Sequence, residues 1–298
     1  MADWVDEIVK RVMMEGITDV SEILKADIVR EVIYKRVEDM LVGTKVIPER
    51  QVKTPDLWLE FPSKIEVQGP LAPEASATAD TITWTKIAFT MAEKYEGRFI
   101  ITDVALARQQ GQEQYRAGVR RLAESMARVE DKEILDAIAA AAGATVTCTA
   151  TWDNANADPV GDIANAVNEV LKAEDLTIDD IKNISLILPV RAYTELMKLT
   201  EISGIKTSLL DWLQGTYGLK ILPTKQLTTY GFAIVPGEDT GRHYVWKPDG
   251  IKLVEEDRIP GVGVQYIVRR FFKTFIIPDD PSSGNTTRRI VKIAGIFA

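Results

Sequence analysis

A single helical period runs from about residue 102 to residue 142 of this 298-residue chain. Even if Gly111 interrupts its start, a helix over residues 112–142 would span roughly 45 Å at about 1.5 Å per residue. That is far longer than the average helix of about 11–12 residues, so the chain must fold around it. Its apolar positions recur every three or four residues, at Tyr115, Val119, Leu122, Met126, Val129, Ile134, Leu135 and Ile138.

The charged side chains of this stretch argue against a coiled coil, because they do not keep a heptad over several repeats. Instead, positive and negative side chains balance one another along the helix. We expect a solvated or salt-bridged face made of Arg116, Arg120, Arg121 and Arg128 with Glu113, Glu124, Glu130 and Asp131.

Two segments of alternating residues before this helix predict a β-ribbon, one around Leu57 and Phe61 and the other around Trp84 and Phe89. The tip between them, residues 69–80, reads GPLAPEASATAD and is longer than the two to five residues of an ordinary hairpin loop. A two-stranded ribbon is marginally stable alone. We therefore expect an arm that lies on another subunit, with a mobile surface loop as the alternative.

Two short amphipathic helices are predicted ahead of the ribbon. The first carries the stripe Trp4, Ile8 and Val12, and the second runs over residues 25–41. Both helices precede any sheet, so they could pack in the chain's own core or on a neighbouring chain.

The rest of the chain alternates strands and helices, which is typical of a layered domain. A continuous apolar run at residues 184–188 predicts a buried strand, and Pro189 opens a helix after it. Residues 263–277 predict a long strand and residues 290–297 a last one.

Residues that could carry chemistry are scarce. His243 is the only histidine and Cys148 the only cysteine, which excludes multi-histidine sites and an internal disulfide. We expect a structural histidine and an unreactive thiol. The chain has no phosphate-binding loop, nucleophile elbow or dinucleotide fingerprint. We therefore predict no catalytic, cofactor-binding or metal-binding residue, no cofactor, and no enzymatic activity.

Charge and hydropathy narrow the class of protein further. The formal charge of −8 does not favour a dedicated nucleic-acid binder. No apolar run reaches the roughly 18 residues that a membrane span needs, so we expect an intracellular protein with no membrane partner. The low Cys and His content with balanced Glu, Lys and Arg hints at a thermophilic source.

The order of these parts resembles the major capsid proteins of tailed bacteriophages and archaeal tailed viruses, whose fold encapsulin shell proteins share. The resemblance covers nearly the whole chain and is one of architecture and order. It rests on LAESMARVEDKEILDAI in the long helix, on ISLILPVRAYTELMKL, and on the closing GVQYIVRRFFKTFIIPDD and IVKIAGIFA.

The resemblance implies an α+β tailed-phage capsid fold with an N-terminal arm, an extended E-loop hairpin, a long spine helix in the peripheral (P) domain, and an axial (A) domain. The arm then corresponds to residues 1–45, the E-loop to 46–98, and the P domain with its spine helix to 99–150. The A domain corresponds to residues 151–255 and the return strands of the P domain to 256–298.

The resemblance also implies a self-assembling shell subunit, the major capsid protein of an icosahedral virus head around double-stranded DNA. Its expected partners are many copies of itself in pentamers and hexamers, scaffold, portal or decoration proteins, and weakly bound DNA. It would assemble in the host cytoplasm. The expected assembly contacts are Gln68, Gly69, Pro70, Pro73 and Glu74 at the E-loop tip, and Trp4, Ile8 and Val12 in the arm.

Two other functions stay open from the sequence. An encapsulin-type compartment would use the same fold to enclose a cargo enzyme, and a cargo-peptide groove on the inner face of the P domain would distinguish it. An ordinary soluble enzyme is disfavoured by the long ribbon and by the missing catalytic residues.

Overall fold

The structure is a computed structural model that describes residues 26–62, 84–91, 93–108, 111–173, 175–202, 205–248, 253–280 and 285–298. The predicted first helix and the tip of the ribbon lie outside these residues. The described helices are α1 (Ala26–Met40), α2 (Asp103–Ala107), α3 (Gly111–Ala140), α4 (Pro159–Val170), α5 (Val190–Leu196) and α6 (Leu209–Tyr217). Two 3-10 helices cover Gly43–Lys45 and Ile178–Asn183.

The described strands follow the order predicted from the sequence, and β1, β4, β7 and β8 are additional to that order. They are β1 (Glu49–Val52), β2 (Asp56–Pro62), β3 (Trp84–Thr90), β4 (Tyr95–Thr102), β5 (Ala142–Thr147), β6 (Ser185–Pro189), β7 (Leu199–Ile202), β8 (Ile205–Ser208), β9 (Lys220–Thr224), β10 (Tyr230–Ile234), β11 (Gly241–Trp246), β12 (Val254–Ile259), β13 (Gly263–Ile276) and β14 (Thr287–Ala294).

Most of the described strands lie in two five-stranded sheets. The first sheet has the order β1-β11-β13-β12, and β4 also pairs with β13. The 14-residue β13 is long enough to pair with β4 and β12 along its first part and with β11 along its last part. The second sheet has the order β5-β14-β10-β6-β9, while β2 with β3 and β7 with β8 form separate ribbons.

The last strand lies in a different sheet from the one that the sequence predicts. Residues 256–298 are predicted to return to the P domain, but β14 pairs with β5 and β10 in the second sheet. Conversely, β11 falls within the predicted A domain and pairs with β13 in the first sheet. The physical reason is burial: Ile290, Val291 and Ile293 are all fully buried, and an interior position in the second sheet covers both of their faces.

The 30-residue helix α3 packs against both sheets. Its first part places Tyr115, Val119 and Leu122 in a core shared with α1, β4 and β13. Its last part places Ile134 and Ile138 in a second core, with residues of β6, β9, β10 and β14. A third core lies between the second sheet and helices α4, α5 and α6. Among the described elements, α3 therefore connects the two sheets.

The ends of the shorter helices follow from their local sequence. The carboxylate of Asp158 accepts the N–H of Gly161 at 2.9 Å, and Pro159 occupies the first turn of α4. Ser208 caps α6 in the same way, and Gly218 ends that helix with a φ of 70°.

The turn between β12 and β13 generates a prediction about Gly263. Its φ is +153°, and a Cβ there would lie 2.0 Å from the carbonyl oxygen of Ile101 on β4. We predict that Gly263→Ala lowers the free energy of unfolding by about 3 kcal/mol, because both backbone strain and a backbone clash result. Urea unfolding followed by tryptophan fluorescence measures this loss.

Gly261 in the same turn supplies the matched control. Its φ is +74°, and a Cβ there meets nothing within 4 Å. Gly261→Ala should cost only about 1 kcal/mol, from backbone strain alone. Equal losses in the two variants would contradict the role of the contact with β4.

Candidate assembly surfaces and the buried charges behind them

The predicted ribbon is present as an antiparallel pair of strands, β2 and β3. Their register runs without interruption from the pair Asp56–Thr90 to the pair Pro62–Trp84. Because side chains alternate between the faces of a ribbon, Phe61 and Phe89 share one face, and Trp58 and Trp84 share the other.

The phenylalanine face of the ribbon is anchored on the first sheet. The ring of Phe89 lies 5.2 Å from the ring of Phe275 on β13 and 5.4 Å from that of Tyr244 on β11. The ring of Phe61 lies 6.5 Å from that of Phe275. Aromatic pairs of this kind contribute about 0.5–1.5 kcal/mol each beyond their buried area, so the ribbon is held to the body along this face.

The tryptophan face of the ribbon is open to solvent. Trp58 is 59% exposed and Trp84 is 64% exposed. Between them Lys86 and Glu60 pair with each other at 3.7 Å, and the Lys86 ammonium lies 4.4 Å from the centre of the Trp58 ring. The two indoles are four positions apart along the ladder, about 13 Å. An exposed apolar surface of this kind is typical of a site that another chain covers.

The eight assembly residues predicted from the sequence all lie outside the described residues, so their contacts stay a prediction. The tryptophan face was not among them, although the alternation of Trp58 with Leu57 and Leu59 was the signal that could have identified it. Alternation separates the two faces of a ribbon, but it does not tell which face meets the body.

Four charged or titratable side chains are buried where the middle of α3 crosses the first sheet. Glu130 and His243 are fully buried, while Arg270 is 2% exposed and Asp131 is 5% exposed. The predicted face was solvated or salt-bridged: Glu130 is salt-bridged but buried, and Asp131 is buried and belongs to no solvated face. The reason is that α3 is covered by sheet strands on one side and by the segment after α1 on another.

Arg270 on β13 is the centre of this cluster. Its Nε lies 2.8 Å from one carboxylate oxygen of Glu130, and its terminal nitrogen lies 3.3 Å from Glu49 of β1. The guanidinium also lies 5.1 Å from the ring of Tyr34 on α1. Burial acts to lower the pKa of Arg270, but the charges of Glu130 and Glu49 outweigh it and raise that pKa. The guanidinium thus joins four elements of the fold.

His243 has the structural role that the sequence predicts. Its Nε2 lies 2.9 Å from Oε1 of Glu130, and its Nδ1 lies 3.0 Å from the hydroxyl oxygen of Thr274. Thr274 in turn donates both its N–H and its O–H to the carboxylate of Glu133. The ring is fully enclosed, so it holds α3 to the sheet and does not meet a substrate.

Asp131 joins α3 to the chain that leaves α1. Its Oδ1 accepts the backbone N–H of Val42 at 2.9 Å and that of Gly43 at 2.7 Å. Burial raises the pKa of Asp131, and these two backbone hydrogen bonds partly offset the effect.

A second arginine, Arg269, links three strands of the first sheet on the surface. Its guanidinium contacts Glu96 of β4 at 3.0 Å and Glu255 of β12 at 2.9 Å. Hydrogen bonds from Lys94, Arg98 and Arg269 lower the pKa of Glu96 to about 2. The acidic run that begins at Glu255 therefore belongs to the strand β12.

The described residues offer little for other chemistry. Burial raises the pKa of the Cys148 thiol to about 12, which leaves it unreactive near neutral pH. Within the described part of the chain, no three His, Cys, Asp or Glu side chains are grouped so as to hold a metal ion. None of the helices described is both long and apolar enough to cross a membrane.

Comparison with known proteins identifies the family. A family described as phage capsid protein matches residues 88–284, well over half of the chain. The chain belongs to this family. A search of curated protein sequences gave no match.

Solved structures agree with the family assignment. The fold is similar to a virus-like particle from Pyrococcus furiosus, with a TM-score of 0.63 and 15% identity over 89% of this chain and 97% of that one. It is similar to a structure from Mycobacterium phage Che8, with a TM-score of 0.59 and 17% identity over 81% and 85% of the two chains. It is also similar to the capsid of a native GTA particle, with a TM-score of 0.59 and 12% identity over 86% and 90%. The predicted α+β tailed-phage capsid fold is confirmed.

The buried pair of Arg270 and Glu130 generates a prediction about stability. We predict that Arg270→Met lowers the free energy of unfolding by about 3–5 kcal/mol, because it leaves a buried carboxylate without its guanidinium. Adding Glu130→Gln should cost less than the sum of the two single changes, since the fully buried carboxylate is then replaced by a neutral amide. Urea unfolding of the three variants measures this coupling.

The matched control is an exposed ion pair on the same sheet. Arg258 lies 2.8 Å from Asp103, and its side chain is 61% exposed. Arg258→Met should cost no more than about 1 kcal/mol. A loss at Arg270 as small as the loss at Arg258 would contradict the importance of the buried pair.

Proposed function

We propose that this chain is the major capsid protein of a tailed virus and that many copies of it form an icosahedral head around double-stranded DNA. Membership of the phage capsid protein family supports a shell subunit. The observation that carries the proposal is the ribbon of β2 and β3, anchored along its phenylalanine face while Trp58 and Trp84 stay exposed on the other. A surface of this kind becomes stable when a neighbouring copy covers it.

In this proposal α3 is the spine helix, the first sheet belongs to the P domain, and the second sheet belongs to the A domain. β2 and β3 form the stem of the E-loop. We propose changes to the domain bounds at three strands: β11 would join the P domain, and β5 and β14 would join the A domain; their strand pairings support this assignment.

Copies of the chain would form pentamers and hexamers through repeated interfaces, as closed symmetric assemblies do. The E-loop tip would contact the P domain of a neighbouring copy through Gln68, Gly69, Pro70, Pro73 and Glu74. The arm would pack on a neighbouring copy through Trp4, Ile8 and Val12. Scaffold, portal and decoration proteins are further proposed partners. Assembly would take place in the host cytoplasm and leave the protein in the virion.

Enclosed DNA would touch the shell only weakly and without sequence preference. The exposed side chains of Arg120, Arg121 and Arg128 on α3 support such contacts, because arginines neutralise phosphates regardless of base sequence. The formal charge of −8 keeps the total attraction small. The function itself requires binding between subunits and no catalytic step.

Expression of the chain alone tests the proposal directly. Negative-stain electron microscopy with light scattering should show closed shells of uniform diameter. A purified chain that stays monomeric or dimeric across salt and protein concentrations, and also with crowding agents and a candidate scaffold protein, would contradict it. Shells from the native source that enclose an enzyme instead of DNA would favour the encapsulin alternative.

The tryptophan face generates a sharper prediction. The double change Trp58→Ser and Trp84→Ser should lower the yield of shells at least tenfold, since a loss of about 1.4 kcal/mol at one interface already changes its equilibrium constant tenfold. The circular dichroism spectrum of the unassembled subunit should stay unchanged, because both side chains are exposed.

Ala88→Ser provides the matched control for this experiment. Ala88 pairs with Trp58 in the ribbon and lies on the same exposed face, so the change keeps the strand and alters little surface. It should leave the shell yield unchanged. Normal shells from the double tryptophan variant would exclude this face as an interface.

A further inference from the structure

We propose that one side of the long helix α3, together with the loop between β9 and β10, binds the phosphate backbone of double-stranded DNA. The proposal rests on the proposed function, from which it takes the partner, and it gives the DNA contact a defined place on the subunit. We call this surface the cationic face. It consists of Arg120, Arg121 and Arg128 of α3 and Lys225 of the loop, all of which are exposed.

Burial separates the charges of α3. The helix contains six acidic and five basic side chains, so its sequence is close to neutral. All five basic side chains are exposed, whereas only two of the acidic ones, Glu113 and Asp136, are exposed. The surface of the helix is therefore more cationic than its composition. The acidic side chains that are buried or half-buried are Glu124, Glu130, Asp131 and Glu133.

The inward-facing carboxylates have partners inside the subunit. Glu130 pairs with Arg270, and Asp131 accepts two backbone N–H groups. Glu124 lies 3.8 Å from Arg36 of α1. Because a buried charge needs such partners, these carboxylates are held by the fold and do not neutralise the outer side of α3.

The cations of the cationic face have no carboxylate partner of this kind. Within the part of the chain that the structure describes, no ion pair involves Arg120, Arg121, Arg128 or Lys225. Arg121 and Arg128 are seven positions apart, so they lie on the same side of the helix, about 10 Å apart along its axis. The apolar side of α3 packs on the first sheet, and the arginines lie on the side turned away from it.

A cavity of about 460 Å³ beside Arg128 extends the cationic face to the second sheet. Arg128 and Lys225 both line this cavity. The side-chain amide of Gln226 donates to the backbone carbonyl of Arg128 at 3.1 Å, which holds the loop against α3. The two carboxylates in the lining, Glu124 and Asp131, are the ones held by partners inside the subunit. The cavity therefore offers a phosphate group two cations from two different elements.

The partner that fits this face is a regular polyanion. Double-stranded DNA carries one negative charge per about 1.7 Å of its axis, so a stretch laid along a straight helix presents several phosphates to it. Guanidinium groups bind phosphate through two parallel hydrogen bonds and need no base contact. The formal charge of −8 does not prevent this contact, because charges further away than about 8 Å are largely screened at physiological salt.

The cationic face and the tryptophan face lie on opposite sides of the first sheet. The helix α3 packs on one face of the sheet, and the ribbon packs on the other face through Phe89 and Phe275. A neighbouring copy that covers Trp58 and Trp84 therefore leaves the cationic face open to DNA.

DNA binding by the full-length chain tests the proposal, at a protein concentration where light scattering detects no shells. The probe is a short double-stranded DNA of mixed sequence, and fluorescence anisotropy measures its affinity at several salt concentrations. Arg121→Gln with Arg128→Gln should weaken binding at least about tenfold at low salt. The slope of log K against log salt should become less steep by nearly 2, since each phosphate contact contributes about 0.9.

The matched control removes two exposed arginines elsewhere. Arg50 and Arg258 have side chains that are 53% and 61% exposed, and Arg50→Gln with Arg258→Gln changes the net charge by the same amount. This variant should keep the salt slope of the unaltered chain. Equal losses in the two double variants would show that net charge alone governs binding and would overturn the proposal. Tighter binding to poly-glutamate than to DNA would overturn it as well, in favour of an acidic polypeptide.

Electron microscopy of the same proteins separates this proposal from the proposed function. The variant with both Arg121 and Arg128 changed should still form closed shells, because the cationic face meets DNA and not a neighbouring copy. A loss of shells in that variant would make the face a contact between copies and would overturn the proposal. An unaltered chain that forms shells but does not bind DNA at low salt would also overturn it and leave the shell function intact. DNA binding without shells would contradict the shell function alone.

Discussion

The ion pair between Glu130 and Arg270 sets the position of the long helix α3 on the first sheet. Apolar side chains allow a helix to slide or rotate with modest loss, whereas a buried carboxylate must keep its guanidinium or bear a desolvation penalty of several kcal/mol. Because α3 also supplies Ile134 and Ile138 to the core of the second sheet, the same pair fixes how the two sheets are joined.

The first sheet also fixes the position of the ribbon of β2 and β3 relative to α3. His243 and Thr274 face α3, while their neighbours in the chain, Tyr244 and Phe275, contact Phe89 on the ribbon. This arrangement follows from the alternation of side chains along β11 and β13. One pair of strands therefore holds α3 on one face and the ribbon of β2 and β3 on the other, which gives the ribbon a rigid base.

Much of this architecture could be predicted from local patterns. The helical period predicted one helix over about residues 102–142, or 112–142 if Gly111 interrupts it, and the structure has α2 and α3 in this stretch. The alternation around Leu57 and Phe89 predicted the ribbon. The scarcity of histidine and cysteine favoured assembly over catalysis as the function of the chain. Local patterns could not predict which sheet β14 joins or that Glu130 is buried. The period of a helix or strand shows which side chains share a face, but it does not show which part of the chain covers that face.

The sequence by itself determined the lengths, periods and order of the elements, because these depend on neighbours within one or two turns or a few strand positions. Only the tertiary structure decided which strands share a sheet and which charges are buried. Arg270 and Glu130 are 140 positions apart in the chain. A contact over that separation leaves no pattern in the local sequence. From the sequence alone, Arg270 and Glu130 cannot be distinguished from charged residues on the surface. The exposure of the tryptophan face was likewise decided by the tertiary structure, because Phe275 and Tyr244 cover the opposite face of the ribbon.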